Sequence, residues 1–85
     1  MVIHVKLYAS LRRHRPGLAL GQSFACTAPD SATVEHLFTE VLGLPPEEVA
    51  IALVNGIHSE HDRLLCDGDT IALWPPVAGG ASVLI

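Results

Sequence analysis

Charged and aromatic side chains are scarce in this sequence. Of its 85 residues only 16% are charged, and the aromatic set is one Trp, one Tyr and two Phe. Nearly half the residues are apolar, so the low charge marks a folded globular chain and excludes a disordered one. No apolar run approaches the ~20 residues of a helical membrane span. The start, Met1-Val2-Ile3-His4-Val5-Lys6, lacks a basic region followed by an apolar stretch, so no secretory signal is expected. Cysteine is nearly absent: Cys26 and Cys66 stand far apart and make no disulfide framework, which points to a reducing cytoplasm. Cations are few, five Lys and Arg against nine Asp and Glu, and a net charge of −4 argues against general nucleic-acid binding. The one basic spot, Arg12-Arg13-His14-Arg15, reads as a solvated loop. Catalytic motifs are missing as well: there is no phosphate-binding glycine loop, no nucleophile elbow and no Cys-x-x-Cys. His58-x-x-His61, flanked by Glu60 and Asp62, has no third ligand fixed by spacing, so no metal is expected. Asp67 and Asp69 flank a glycine and read as turn residues.

What is there is one small domain, which at this length buries about 60–65% of its unfolded surface. Val2 to Tyr8 alternates, with Ile3, Val5 and Leu7 on one face and Val2, His4, Lys6 and Tyr8 on the other. Ala9 to Gly17 is a polar connection ended by the Pro16-Gly17 turn signal. Leu18 to Ala28 alternates again, in a phase that puts Cys26 in the core as a small hydrophobe. Thr33 or Asp30 caps a helix of about three turns, whose stripe is Val34, Leu37, Phe38, Val41 and Leu42. Gly43 and Pro45-Pro46 end it. Val49 to Val54 reads as a strand with Ile51 and Leu53 inward and Ala50, Ala52 and Val54 outward. Asn55-Gly56 is a turn signal, Ile57 to Cys66 is irregular, and Asp67-Gly68-Asp69 feeds a last strand, Thr70 to Trp74. One amphipathic helix can cover one face of such a sheet. The first and last strands are expected side by side and parallel, joined by a right-handed crossover through the helix. That arrangement is the α+β β-grasp, or ubiquitin-like, fold, with a mixed sheet of four to five strands.

The last strand runs into Pro75-Pro76, which cannot donate to a sheet ladder and stiffens the chain leaving it. Val77-Ala78 and then Gly79-Gly80 follow, so the stalk has a tip without side chains. From Pro75 to Gly80 the reach is roughly 20 Å if extended, suited to a narrow channel in another protein. Tyr8 and Trp74 share the uncovered face beside this tail, with Ala52 and Ala72 expected between them. An exposed aromatic patch next to a projecting tail reads as an interface.

The run Asp67-Gly68-Asp69-Thr70-Ile71-Ala72-Leu73-Trp74-Pro75-Pro76-Val77-Ala78-Gly79-Gly80 resembles the C-terminus of the MoaD/ThiS sulfur-carrier proteins, in its Pro-Pro-Val-x-Gly-Gly form more MoaD than ThiS. Val5-Lys6-Leu7-Tyr8-Ala9-Ser10-Leu11-Arg12 and Leu53-Val54-Asn55-Gly56 resemble the same family in the same order. The resemblance implies a ubiquitin-like fold and no catalytic activity of its own. It implies that the Gly80 carboxylate is adenylated with ATP by a MoeB/ThiF-like enzyme and converted to a thiocarboxylate. The sulfur would then go to a MoaE-like large subunit for molybdopterin synthesis, with no cofactor bound to the carrier. An acceptor in thiamin, cysteine or thio-metabolite synthesis, a ubiquitin-like modifier, and a non-activated interaction module remain as other readings. The resemblance also places docking residues at Tyr8, Trp74 and His58, where the family commonly has an apolar residue in the last position. Pro75, Pro76, Val77, Ala78 and Gly79 would occupy the partner's channel. The sequence departs from the pattern by continuing past Gly80 through Ala81-Ser82-Val83-Leu84-Ile85. Residues 1–80 are therefore expected to form the carrier domain, with 81–85 removed, as in family members matured by zinc-dependent proteases.

Overall fold

The structure is a computed structural model and describes residues 1–76. Five strands make one mixed sheet: β1 (Val2–Leu7), β2 (Phe24–Thr27), β3 (Ile51–Val54), β4 (Ile57–His58) and β5 (Thr70–Trp74). Their order is β2-β1-β5-β3-β4. β1 and β5 run parallel at the centre, with His4 opposite Thr70 and Leu7 opposite Leu73. The remaining pairings, β1 with β2, β3 with β5 and β3 with β4, are antiparallel. The β-grasp expectation thus holds, with five strands.

The alternation in β1 decides which face is covered. Ile3, Val5 and Leu7 are buried, and so are Ile71 and Leu73 opposite them. Against this face lies the helix α1, an α-helical turn (Val34–His36) continued by a π-helical turn (Leu37–Val41). The widened turn is visible in the Leu42 N–H, which donates to the Leu37 carbonyl five residues back at 2.9 Å. Val34, Leu37 and Phe38 are buried beneath it, while Val41 and Leu42 pack at the margin. Full burial of side chains of this size stabilises by about 1.5–3 kcal/mol each. Thr33 caps the helix, its Oγ1 accepting the His36 N–H at 3.1 Å. Gly43 follows with φ +70°, the left-handed conformation that ends helices. The helix is nearer two turns than three, because the connection through Pro45-Pro46 begins early.

Besides the shorter helix, and Ile57–His58 forming strand β4 where an irregular run was expected, three readings of the sequence need correction. The polar connection expected from Ala9 is partly helical: Ala9–His14 form a 3-10 helix that buries Leu11. In the Leu18 to Ala28 run only Phe24–Thr27 is a strand, and Leu20 is exposed in the loop before it. Phe24 and Cys26 do face the core, packed at its edge. The third correction is the phase of β3. Ala52 and Val54 are buried, whereas Ile51 and Leu53 are half-buried on the open face. The register with β5 forces this: Ala52 sits opposite the inward Leu73, and Leu53 opposite Ala72.

The Asn55-Gly56 turn joins β3 to β4 with both residues at positive φ, +52° and +84°, as a tight two-residue hairpin requires. At the same end of the sheet the aspartates are structural. Asp69 accepts from Asn55 Nδ2 at 2.9 Å and from the Cys66 N–H at 2.8 Å, and Asp67 accepts from the Val2 N–H at 2.7 Å. Among the described residues no helix is long and apolar enough to cross a membrane.

Candidate docking face and tail

Every second residue of the central strands points away from α1, and among the described residues no helix packs on that side. Because β1 and β5 are parallel and in register, both deliver their last outward side chain to the same edge. Tyr8 follows Leu7, and Trp74 ends β5 beside Leu73. The two rings stack with centroids 4.4 Å apart and planes 4° from parallel. Both residues are half-buried, each shielding a face of the other. The Tyr8 N–H donates to the Leu73 carbonyl at 3.1 Å, which ties the end of β1 to the end of β5. The Tyr8 carbonyl accepts the Leu11 N–H at 3.1 Å, so the 3-10 helix starts directly from it. Between these bonds Ala9 takes φ +52°, a left-handed value that costs an alanine roughly 1–2 kcal/mol. The kink turns the chain off the sheet at the stack.

Cross-strand register fills in the rest of the face. Ile51 lies opposite Trp74, and Leu53 lies between Ala72 and His58. One row therefore reads Tyr8, Trp74, Ile51, and the next reads Lys6, Ala72, Leu53, His58. Tyr8 and Trp74 thus lie on one face, and His58 is exposed on the same face one row from the stack. Ala52 does not belong to it, because it is fully buried under the sheet. Ile51 and Leu53 replace it, which makes the face more apolar than the sequence suggested. Sequence reasoning missed both residues, although pairing β3 against the known phase of β5 would have found them.

Pro75 is half-buried at the end of β5 and Pro76 is exposed. Val77, Ala78, Gly79 and Gly80 lie outside the described residues, as does the 81–85 segment. His61 packs edge-on against Phe38, with ring centres 5.2 Å apart, as part of the helix packing. Among the described residues no three His, Cys, Asp or Glu side chains come together as metal ligands would. The Cys26 thiol is pushed above its ordinary value by burial, an effect that nearby Arg15 partly offsets.

These features define a small ubiquitin-like β-grasp module. Residues 1–79 match the family model described as Mut7-C ubiquitin, and the chain belongs to that family. Comparison with curated proteins returned no match. Among solved structures, SAMP1 of Haloferax volcanii, a small archaeal modifier protein, is 22% identical with a TM-score of 0.68. That likeness covers 94% of this chain and 100% of the other. A molybdopterin converting factor subunit 1 from Pyrococcus furiosus is 23% identical with the same TM-score, over 91% of this chain and 99% of that one. A third structure is a complex of subunits 1 and 2 of the molybdopterin-converting factor from Helicobacter pylori. It is 21% identical with a TM-score of 0.56, over 94% of this chain and 100% of that one. At these identities the likeness establishes a shared fold.

Proposed function

We infer that this chain is a sulfur carrier of the MoaD kind, acting as substrate and donor while its partners catalyse. The observation that carries the reading is the stacked Tyr8–Trp74 pair on an uncovered face, at the point where the chain leaves β5 toward Pro75-Pro76-Val77-Ala78-Gly79-Gly80. A carboxylate is a poor electrophile because its charge is delocalised and it lacks a leaving group. An oxygen of a Gly80 carboxylate attacking the α-phosphorus of ATP releases pyrophosphate and leaves an acyl-adenylate. A persulfide on a partner then attacks the carbonyl carbon and expels AMP, giving an acyl disulfide. A second thiol cleaves the disulfide, and the thiocarboxylate remains on the carrier. A Cβ at either glycine would obstruct the approach of these groups to the carbonyl carbon.

The activating partner is a MoeB/ThiF-like adenylating enzyme, and the acceptor is a MoaE-like large subunit in molybdopterin synthesis. The pairing of subunits 1 and 2 in the Helicobacter pylori complex supports the second assignment. In the chain as it stands the Gly80 carbonyl is bonded to Ala81, so cleavage there, by a zinc-dependent protease, must come first. The test compares the full chain with one ending at Gly80, each mixed with ATP and the host adenylating enzyme. Only the shorter chain should drive pyrophosphate exchange and, with a sulfur source, gain the mass of oxygen replaced by sulfur. Gly79→Val in the shorter chain should abolish both. Failure of the Gly80-ended chain to react, together with recovery of only the longer form from the host, would overturn the carrier reading.

A second reading is favoured by the match to the Mut7-C ubiquitin family and by the residues that follow Gly80. Here the module keeps its peptide bond to Ala81 and uses the aromatic face to bind, without activation. Intact-mass analysis of protein from the host separates the two. Ladders of conjugates on other proteins would instead indicate a modifier.

A further inference from the structure

Charge is divided along the chain in a way that the net value of −4 conceals. Residues 1–29 hold four of the five Lys and Arg, namely Lys6, Arg12, Arg13 and Arg15, and no Asp or Glu. All nine acidic residues fall between Asp30 and Asp69. The fold turns this division into a basic collar. The arginines sit on and just after the 3-10 helix Ala9–His14, which begins where β1 ends, at the edge of the sheet from which Pro75 and Pro76 depart.

Each arginine is held in place, mostly by neutral groups. Arg12 Nη2 donates to the Leu18 carbonyl at 3.1 Å, while its Nε is buried without a partner. The Arg15 guanidinium lies 4.4 Å from the centre of the Phe24 ring. Arg13 alone meets a carboxylate, Glu48 at 2.6 Å, which His14 also approaches at 3.1 Å. Among the described residues Lys6, Arg12 and Arg15 have no carboxylate within ion-pair distance. Glu48 brings acid to this end, where it meets Arg13 and His14. Cations that are already ordered and uncompensated lose little freedom on meeting a counter-charge, and they steer association at long range.

We propose that the Arg12, Arg13 and Arg15 collar docks on an acidic protein surface, the carboxylate-lined rim of the site that receives the tail. The inference rests on the reading of this end as a docking end and does not depend on the sulfur chemistry. A nucleic acid is the weaker fit, because a long polyanion on this collar would also meet Glu48 and a domain of net negative charge.

Association of a chain ending at Gly80 with the host adenylating enzyme tests the proposal by stopped flow at low and high salt. Arg13→Gln combined with Arg15→Gln should slow association about tenfold at low salt and flatten its salt dependence. Arg13→Lys with Arg15→Lys should stay within about twofold of the parent, since charge is kept. An unchanged rate in the Gln pair, with folding confirmed, overturns the proposal. Lack of any enzyme binding by the parent would count against the sulfur-carrier reading. In that case titration of the isotope-labelled full chain with a Glu- and Leu-rich peptide decides by NMR. Shifts centred on residues 12–15 and Trp74 support the collar. Shifts elsewhere, no shifts, or tighter binding of a single-stranded RNA of equal charge overturn it.

Discussion

Ala9 and Asn55 share the same backbone angle, φ +52°, yet replacing each with glycine should move stability in opposite directions. Ala9 is exposed, and its Cβ is the reason the left-handed conformation is costly there. Glycine relieves roughly 1–2 kcal/mol of that cost. It also frees the unfolded chain, which returns about 0.4–1 kcal/mol. Ala9→Gly is therefore expected to stabilise the domain by about 0.5–1 kcal/mol, a rise in Tm of roughly 3–6 °C for a domain this size. Asn55 tolerates the same angle better, and its side chain works for the fold. Nδ2 donates to Asp69 at 2.9 Å and Oδ1 accepts the Thr70 N–H at 2.9 Å. Losing both bonds at about 1 kcal/mol each, with the added chain entropy, puts Asn55→Gly about 2–3 kcal/mol below the parent. Urea denaturation of the two variants beside the parent measures both signs in one experiment. A neutral or destabilising Ala9→Gly would refute the claim that strain is stored beside Tyr8.

Tyr8→Ala and Trp74→Ala should each weaken partner binding by about 2 kcal/mol while costing less in stability. Because the rings stack on one another, the double variant should lose less than the sum, a coupling of about 0.5–1.5 kcal/mol in a double-mutant cycle. Additive losses would mean the stack is incidental. Thr33→Ala removes the helix cap and should cost about 1 kcal/mol by urea denaturation, most of it recovered by Thr33→Ser. The two thiols should separate kinetically with Ellman's reagent. The raised Cys26 thiol holds less thiolate at neutral pH, so the exposed Cys66 reacts first and Cys26 labelling moves to higher pH. A Cys66→Ser variant that still reacts in the fast phase would contradict this.

The sequence was easiest to read where one face of an element differed sharply from the other. β1 showed its phase because Ile3, Val5 and Leu7 alternate with His4 and Lys6, and Tyr8 and Trp74 followed from that phase. β3 hid its phase because Ala50 to Val54 is apolar throughout. Judging by side-chain size turned Ile51 and Leu53 inward, whereas the register with β5 turns them out and leaves the small Ala52 beneath the sheet. The 3-10 helix gave no periodic signal, since Leu11 is its one buried residue among polar neighbours. The charge collar was visible as four letters, Arg12 to Arg15. Its meaning depended on where β1 ends relative to β5, and residue spacing does not carry that information.

The strand order also governs when this protein can fold. β5 is the central strand and the last of the five in sequence, so β1 and β3 have no common neighbour until residues 70–74 have been made. Before then the chain can form two separate pieces, β1 with β2 and β3 with β4, each with an open edge. Closing the sheet brings His4 to Thr70 across nearly the whole chain, the kind of distant pairing that slows folding. Fragments ending before residue 70 should therefore be aggregation-prone and not simply less stable. The strand that completes the sheet is also the root of the tail, so force applied to residues beyond Pro76 acts first on the pairing that closes the fold.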